Sequence, residues 1–429
     1  MPPEGRAIRP MDMKNELRAV AGAAVVALLI AGCGSNPVPR PVMAHGVAVR
    51  EPLVNPRPYG TADAAFGLDV LGAMCRSDPR ANLVLSPSSL ASGLGMAYLG
   101  ARGGTARAMA GVLRLPTAGG QAGLQARSAA LRGLGGLGVT LDASDQVWAD
   151  PTLRTERTYL NAVATGYGAG LAKAPLLNDP ELARQEINHA IATATRGQIP
   201  RLLRPGSLDD QIGWVLTDAL YLHAAWATPF DPDETSPGSF TTAAGRSVTA
   251  KFMLGGEYRA VTADGWTAVW LPYRGGKLGM EALLPPAGSA GCALPAAGAL
   301  GAMASRLAPG QPGAQIRSVS FPKVNIATQV SMKPVLSGLG MGVAFTPAAD
   351  FTGLSPQACC IGLVEHAATL DVGEKGTVAS AATAVGMAAS AARVMPPLVT
   401  FDRPYLMVVT DRATGEPLFI ARVANPATR

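Results

Sequence analysis

The chain has 429 residues, 48% of them apolar, which is ample for a sizeable buried core. A net charge of +6 is small for that length, and Lys and Arg are scattered rather than massed, so the chain lacks the electrostatic footprint of a nucleic-acid binder. Length alone suggests two or three domains.

The N-terminal residues read as a targeting segment rather than as part of a fold. Lys14 and Arg18 precede an apolar run from Ala19 to Leu29, followed by Ile30-Ala31-Gly32-Cys33. A positive start, an apolar stretch too short for a comfortable membrane span, and small residues before a cysteine resemble a bacterial lipoprotein signal. That resemblance implies lipidation of Cys33 and an exported protein, held on the outer face of the cell membrane or released outside the cell. An ordinary signal peptide or a short membrane anchor is the alternative. Residues 1–33 are therefore set aside as signal, the proline-rich stretch 34–57 as a tether, and 58–429 as the folded part.

Helical signals come first. Ser86 followed by Pro87 is an N-cap with proline at the first helical position. Leu90, Leu94, Ala97 and Tyr98 then share one helix face, and Gly103-Gly104 ends the run. Thr105 is placed to cap a short helix reaching Leu115, and a third helical stretch lies near Glu181 to Leu203. From Trp214 onward strand patterns dominate. Leu216, Asp218, Leu220 and Leu222 share one face of a strand, as do Val364, His366, Ala368, Leu370 and Val372 of another. Helices followed by strands, without regular alternation, indicate an α+β fold. Each strand carries one ionisable residue on an apolar face, and a mutual hydrogen bond between Asp218 and His366 would satisfy both. Cys75, Cys292, Cys359 and Cys360 show no metal spacing and no evident connectivity; an exported chain permits disulfides between them, and buried free thiols are the other reading. Adjacent Cys359 and Cys360 could not face the same way on a strand.

Separated segments of this chain resemble the serpins, in that family's order. They are Asn82 to Ser89 with Leu99-Gly100-Ala101 and Thr105; Asp218 to Leu222 through Trp226, Pro229-Phe230 and Thr235; and Leu271-Pro272-Tyr273 with Met280 and Leu284-Pro285. Next come Phe321-Pro322-Lys323, Leu339-Gly340-Met341 and Asp350 to Gly353. The last run goes from His366 through Glu374-Lys375-Gly376-Thr377 to Arg403-Pro404-Tyr405, Leu418-Phe419 and Asn425-Pro426. The resemblance implies a single α+β domain with three β-sheets, eight or nine helices and an exposed reactive-centre loop. It also implies a serine protease inhibitor rather than an enzyme, with neither cofactor nor metal. By the same resemblance Ser86, Ser89 and His366 form a shutter under the central sheet, with Asp218 where the family usually has asparagine. Trp226 matches the breach tryptophan at the top of that sheet.

Serpin inhibition uses the loop as bait: the protease cleaves it, is held as a covalent acyl-enzyme, and is carried away as the loop inserts into the central sheet. Insertion demands a bendable hinge, small inward side chains and no proline. Glu374, Gly376, Thr377, Ala379 and Ala381 meet those demands, and Val378 to Val385 has no charge, proline or aromatic ring. Two bonds compete as the cleavage point. Counting about fourteen residues from the hinge glycine gives Ser390-Ala391, suited to an elastase-like or subtilisin-like protease. Counting back from Pro396-Pro397 gives Arg393-Val394, suited to a trypsin-like one. A hydrolase reading fails, because neither G-x-S-x-G nor His-Glu-x-x-His occurs and Ser86-Pro87-Ser88-Ser89 lacks the lysine of an S-x-x-K site. A non-inhibitory serpin serving as a binder or carrier is the remaining alternative. The expected partners are a serine protease and, through the anchor, a membrane; the chain is expected to act as a monomer.

Overall fold

The computed structural model describes residues 41–136, 138–289, 291–377 and 396–428. Its helices are α1 (Arg57–Ser77), α2 (Pro87–Gly100), α3 (Gly103–Val112), α4 (Gly120–Arg132), α5 (Arg157–Tyr167), α6 (Pro180–Ala194), α7 (Ala297–Leu307) and the single turn α8 (Lys333–Leu336). The strands are β1 (Val42–Ala44), β2 (Leu83–Leu85), β3 (Val139–Ala143), β4 (Gln146–Ala149), β5 (Leu171–Lys173), β6 (Trp214–Ala225), β7 (Ser236–Thr241), β8 (Ser247–Ala263) and β9 (Trp266–Pro272). They continue with β10 (Leu278–Leu284), β11 (Gln315–Pro322), β12 (Val324–Ser331), β13 (Leu363–Gly373), β14 (Gly376–Thr377), β15 (Leu398–Thr400), β16 (Tyr405–Asp411) and β17 (Pro417–Val423). The described residues belong to one compact unit, not to the two or three domains that length suggests.

The central sheet runs β1-β5-β4-β6-β14-β13-β12, with β3 also paired to β6. A second network runs β15-β11-β8-β9-β10-β16-β17-β2, with β7 on β8. Its long strand β8 serves two layers: Ser247–Phe252 pair with β7, whereas Arg259–Ala263 pair with β9. β10, β16 and β17 are buried along their whole length, which is why LGMEALL, YLMVVTD and PLFIARV read as near-continuous apolar runs instead of alternating ones.

Three hydrophobic clusters hold the layers together. Leu220, Leu222 and Ala224 of β6 and Leu370 and Val372 of β13 pack against Val269, Met280, Met407 and Phe419 of the second network. On the opposite face, Val215, Ala219 and Ala367 pack under Ile187 and Ile191 of α6. The third cluster joins α1, α2 and α3 to Leu216, Val364 and Leu406. Alternate residues of β6 and β13 thus face opposite ways, as their sequence pattern requires.

Several local expectations shift. Ser86 does cap α2, its Oγ accepting from Ser89 N–H at 3.2 Å. Thr105 instead lies buried inside α3, which starts at Gly103, and its Oγ1 accepts from the Asp350 N–H. The helix expected to reach Leu203 stops at Ala194, with Asp179 as its cap. Residues 42–51, read as tether, are bound to the domain. β1 pairs with β5, and the amides of Val47, Val49 and Glu51 donate to Asn161, Thr165 and Gln125. Cys75 and Cys292 are not free thiols. They form a disulfide tying the end of α1 to the segment before α7, with Cα atoms 5.8 Å apart.

Candidate functional site

The site is the seam between β6 and β13. At its lower end the two strands pair directly and in parallel, from Leu363↔Val215 to Ala368↔Leu220. Higher up they part, and the two residues of β14 stand between them: Gly376 pairs with Ala225 and Thr377 with Ala224 on one side, while Thr377 pairs with Val372 on the other. Between those points Tyr221–His223 and Thr369–Asp371 keep their outer partners on β3 and β12. The sheet is closed below and already wedged open above by the first two residues of the hinge.

The wedge is held by the residues around it. Glu374 and Lys375 make the two-residue turn of a hairpin between β13 and β14. Trp226 grips that turn twice: its Nε1–H donates to Gly373 O at 2.9 Å and its backbone N–H to Lys375 O at 3.0 Å. The Phe230 N–H donates to Glu374 O, and Lys323 Nζ reaches both Glu374 carboxylate oxygens at 2.8 and 2.9 Å. Burial pushes the Glu374 carboxyl up, but Lys323, the backbone and Thr235 outweigh it and hold it below its usual range. Gly376 has φ +147°, and a Cβ there would collide with the Ala224 carbonyl, so no larger residue fits this strand start. Thr377 is fully buried, its Oγ1 2.5 Å from Tyr273 Oη, and Tyr273 stacks on Trp226 with ring centroids 4.5 Å apart.

Below the wedge, the sequence-expected shutter residues meet. Asp218 and His366 are directly opposed in the β6–β13 register, and His366 Nδ1 lies 2.5 Å from Asp218 Oδ1. The Ser86 N–H donates to His366 Nε2, so that nitrogen is the acceptor and Nδ1 carries the proton given to Asp218. Ser86 thereby joins the helix cap to the seam. Ser89 turns elsewhere: its Oγ donates to Asp145, a residue that sequence reasoning missed. Burial, and then the Asp218 charge, hold the Asp145 carboxyl well above the usual range. Asp218 Oδ2 is buried without a hydrogen-bond partner among the described residues.

A second buried group was also missed. Arg127 of α4 binds Asp63 of α1 at 2.6 Å and Glu416 at 2.7 Å, and donates to Ser92 Oγ and Ser88 O on α2. Burial pulls its guanidinium down, but Asp63 and Glu416 outweigh that and keep it charged. It fixes the helix that carries Ser86 and Ser89. Ala379, Ala381, Ser390, Ala391, Arg393 and Val394 of the bait loop, and Cys33, lie outside the described residues.

A model of the family described as Serpin (serine protease inhibitor) matches residues 61–426. The chain is a serpin. It is 28% identical over 374 residues to the leukocyte elastase inhibitor of Sus scrofa, covering 85% of this chain and 98% of that one. It is also 28% identical over 372 residues to Serpin B6 of Macaca fascicularis, with coverages of 85% and 98%. Among solved structures, native tengpin, a thermophilic serpin, superposes with a TM-score of 0.75 at 22% identity, over 90% of this chain and 100% of tengpin. Thyroxine-binding globulin in complex with thyroxine gives 0.74 at 23% identity, over 86% and 99%. These structural likenesses carry the fold. Serpins are generally protease inhibitors rather than enzymes, although the globulin shows that some bind small molecules.

Proposed function

We propose that this serpin is a suicide-substrate inhibitor of serine proteases. The protease serine attacks a loop carbonyl, the amide bond breaks, and an acyl ester joins the enzyme to the hinge side of the loop. The freed strand then zips down the seam from Thr377, displacing the β6–β13 pairing as far as the Asp218–His366 contact. One observation carries this reading: the sheet is shut from Val215 to Leu220 and parted above by the buried hinge, so the inserting strand already has its first two residues in register. The uncharged, proline-free run after Thr377 supports it. The cleaved bond is Ser390-Ala391 or Arg393-Val394. Incubation with elastase-like, subtilisin-like and trypsin-like proteases should give a detergent-resistant complex with at least one, and mass analysis of the released fragment identifies the bond. Cleavage of the loop by all of them without a trapped complex would overturn the proposal.

The protein acts, on this reading, as a monomer exported from the cell and anchored through lipid on Cys33. Acylated Cys33 in a membrane fraction, and release by Cys33→Ala, test the anchor.

A second reading, a carrier, draws on one observation. A cavity of about 220 Å³ lies between α1, α7 and the second network, lined by Trp270, Leu300, Leu307, Val408 and Arg412. Glu281 lines it too, opposite Trp270 and Val408 in the register, buried, with Oε2 unpartnered among the described residues. Burial pushes that carboxyl up to about 8, leaving a neutral acid at a cavity of mixed polar and apolar lining. A small molecule that raises the thermal midpoint of the wild type, but not of a cavity-filling Leu300→Trp variant, would favour this reading.

A further inference from the structure

We propose that Cys359 and Cys360 form a reversible redox-modification site, closing to a disulfide between adjacent residues. The reading is independent of protease inhibition. The pair lies not on a strand but in the irregular segment that leads from α8 and Phe351 to β13. Freed from the alternation of a strand, the two side chains converge: Cys359 Sγ and Cys360 Sγ are 2.7 Å apart, with both thiols free. Cys359 is exposed, while Cys360 is partly covered and lines a small apolar void with Trp214, Leu216, Leu354 and Ile361. One sulfur thus meets reagents from solvent and the other lies in contact behind it. Burial pushes the Cys360 thiol up to about 11, with Cys359 adding to the rise. Cys360 is therefore a poor nucleophile towards external reagents, and only its contact with Cys359 Sγ gives it the resolving step.

An oxidant is implied by a separate feature. The Cys75–Cys292 disulfide, buried at its Cys75 end, spans 217 residues, so the chain matures where disulfides are made. The same class of reagent, a small or protein disulfide, supplies the reaction here. The Cys359 thiolate attacks one sulfur of R–S–S–R, forming a mixed disulfide and expelling the first thiol R–SH. Cys360 then attacks Cys359 Sγ, loses its proton, and expels the second R–SH. Two protein thiols become one disulfide, and R–S–S–R is reduced to two thiols.

The product is easily reversed. Adjacent Cα atoms lie about 3.8 Å apart across a trans peptide, inside the roughly 4.4 Å lower limit of ordinary disulfides. The ring is strained and gives way to mild reductant, unlike Cys75–Cys292. Its place is the foot of the seam: Leu363, where β13 begins pairing with Val215 of β6, is three positions beyond Cys360.

The full-length protein tests this directly. After exposure to oxidised glutathione, it is denatured with an alkylating agent and digested with trypsin; peptide 324–375 holds both cysteines and no other. The expected peptide is two hydrogens lighter than the dithiol form and unalkylated. Mild dithiothreitol should restore two alkylatable thiols while Cys75–Cys292 stays closed. The reduced protein should then bind one equivalent of phenylarsine oxide, lost in Cys359→Ser and in Cys360→Ser. In Cys360→Ser, glutathione should remain attached to Cys359. Two freely alkylated cysteines after oxidation, separate glutathione adducts on each, or Cys359 bridges between two chains would each overturn the proposal.

Discussion

Replacing Thr377 by arginine tests the hinge at its tightest point. The side chain is fully buried between Ala224 and Val372, and its hydroxyl meets Tyr273 Oη. The nearest carboxylate on the hinge, Glu374, is already engaged by Lys323 and Thr235. A guanidinium entering this slot loses water and gains no counter-charge, a penalty of about 3–5 kcal/mol. At about 1.4 kcal/mol per factor of ten, insertion slows by roughly two to three and a half orders of magnitude, and hydrolysis of the acyl-enzyme overtakes it. Titration of a susceptible protease should show the stoichiometry of inhibition rising more than about tenfold, with cleaved serpin replacing the detergent-resistant complex. Thr377→Ser keeps the hydroxyl and loses only a methyl group, and should inhibit nearly as wild type. A Thr377→Arg variant that traps protease with unchanged stoichiometry would refute insertion through this slot.

Asp218→Asn removes the charge that helps hold Asp145 protonated, while keeping an acceptor for His366 Nδ1–H. A carboxyl with a raised folded-state pKa binds more protons folded than unfolded, so stability falls as pH rises from its unfolded value through the folded one. The variant should therefore show a flatter melting-versus-pH profile and a higher midpoint at neutral pH; an unchanged or steeper profile counts against the coupling. By the same sign, burial of Glu281 should cost stability as pH rises from 4.5 to about 8, an effect of about 5 kcal/mol that Glu281→Gln should abolish in pH-dependent denaturation. Equal slopes for wild type and variant would contradict it. Arg127→Met strands the Asp63 and Glu416 carboxylates in the interior and should lower stability by about 3–5 kcal/mol. Denaturant midpoints measure this, and a loss below about 1 kcal/mol would mean the charges find other partners.

The face patterns of β6 and β13 were legible because period-2 alternation survives burial, and they brought Asp218 and His366 together in the correct register. The Ser86 cap was legible for the same local reason. Asp145 was not: it sits in the short link between β3 and β4, and only the fold of both strands onto β6 carries it to Ser89. Arg127, Asp63 and Glu416 come from three distant segments, so no spacing announces them. The state of the cysteines was not legible, because side-chain direction in an irregular loop, and a disulfide closing 217 residues, leave no periodic trace. Docking of Gly376 and Thr377 in the uncleaved sheet is also a tertiary fact, set by the turn that Trp226 grips.

The central claim is that the uncleaved sheet lacks a strand which the loop supplies, and one calorimetric comparison tests it most directly. The loop is cut between Met387 and Val394 with a protease that is not trapped, and the thermal midpoints of intact and cleaved protein are compared. Nicking a surface loop ordinarily leaves stability the same or lower. If the freed strand enters the seam and displaces the direct β6–β13 pairing that ends at Leu220 and Ala368, the midpoint should rise sharply although a covalent bond has been lost. A cleaved protein that melts at or below the intact one would contradict the account.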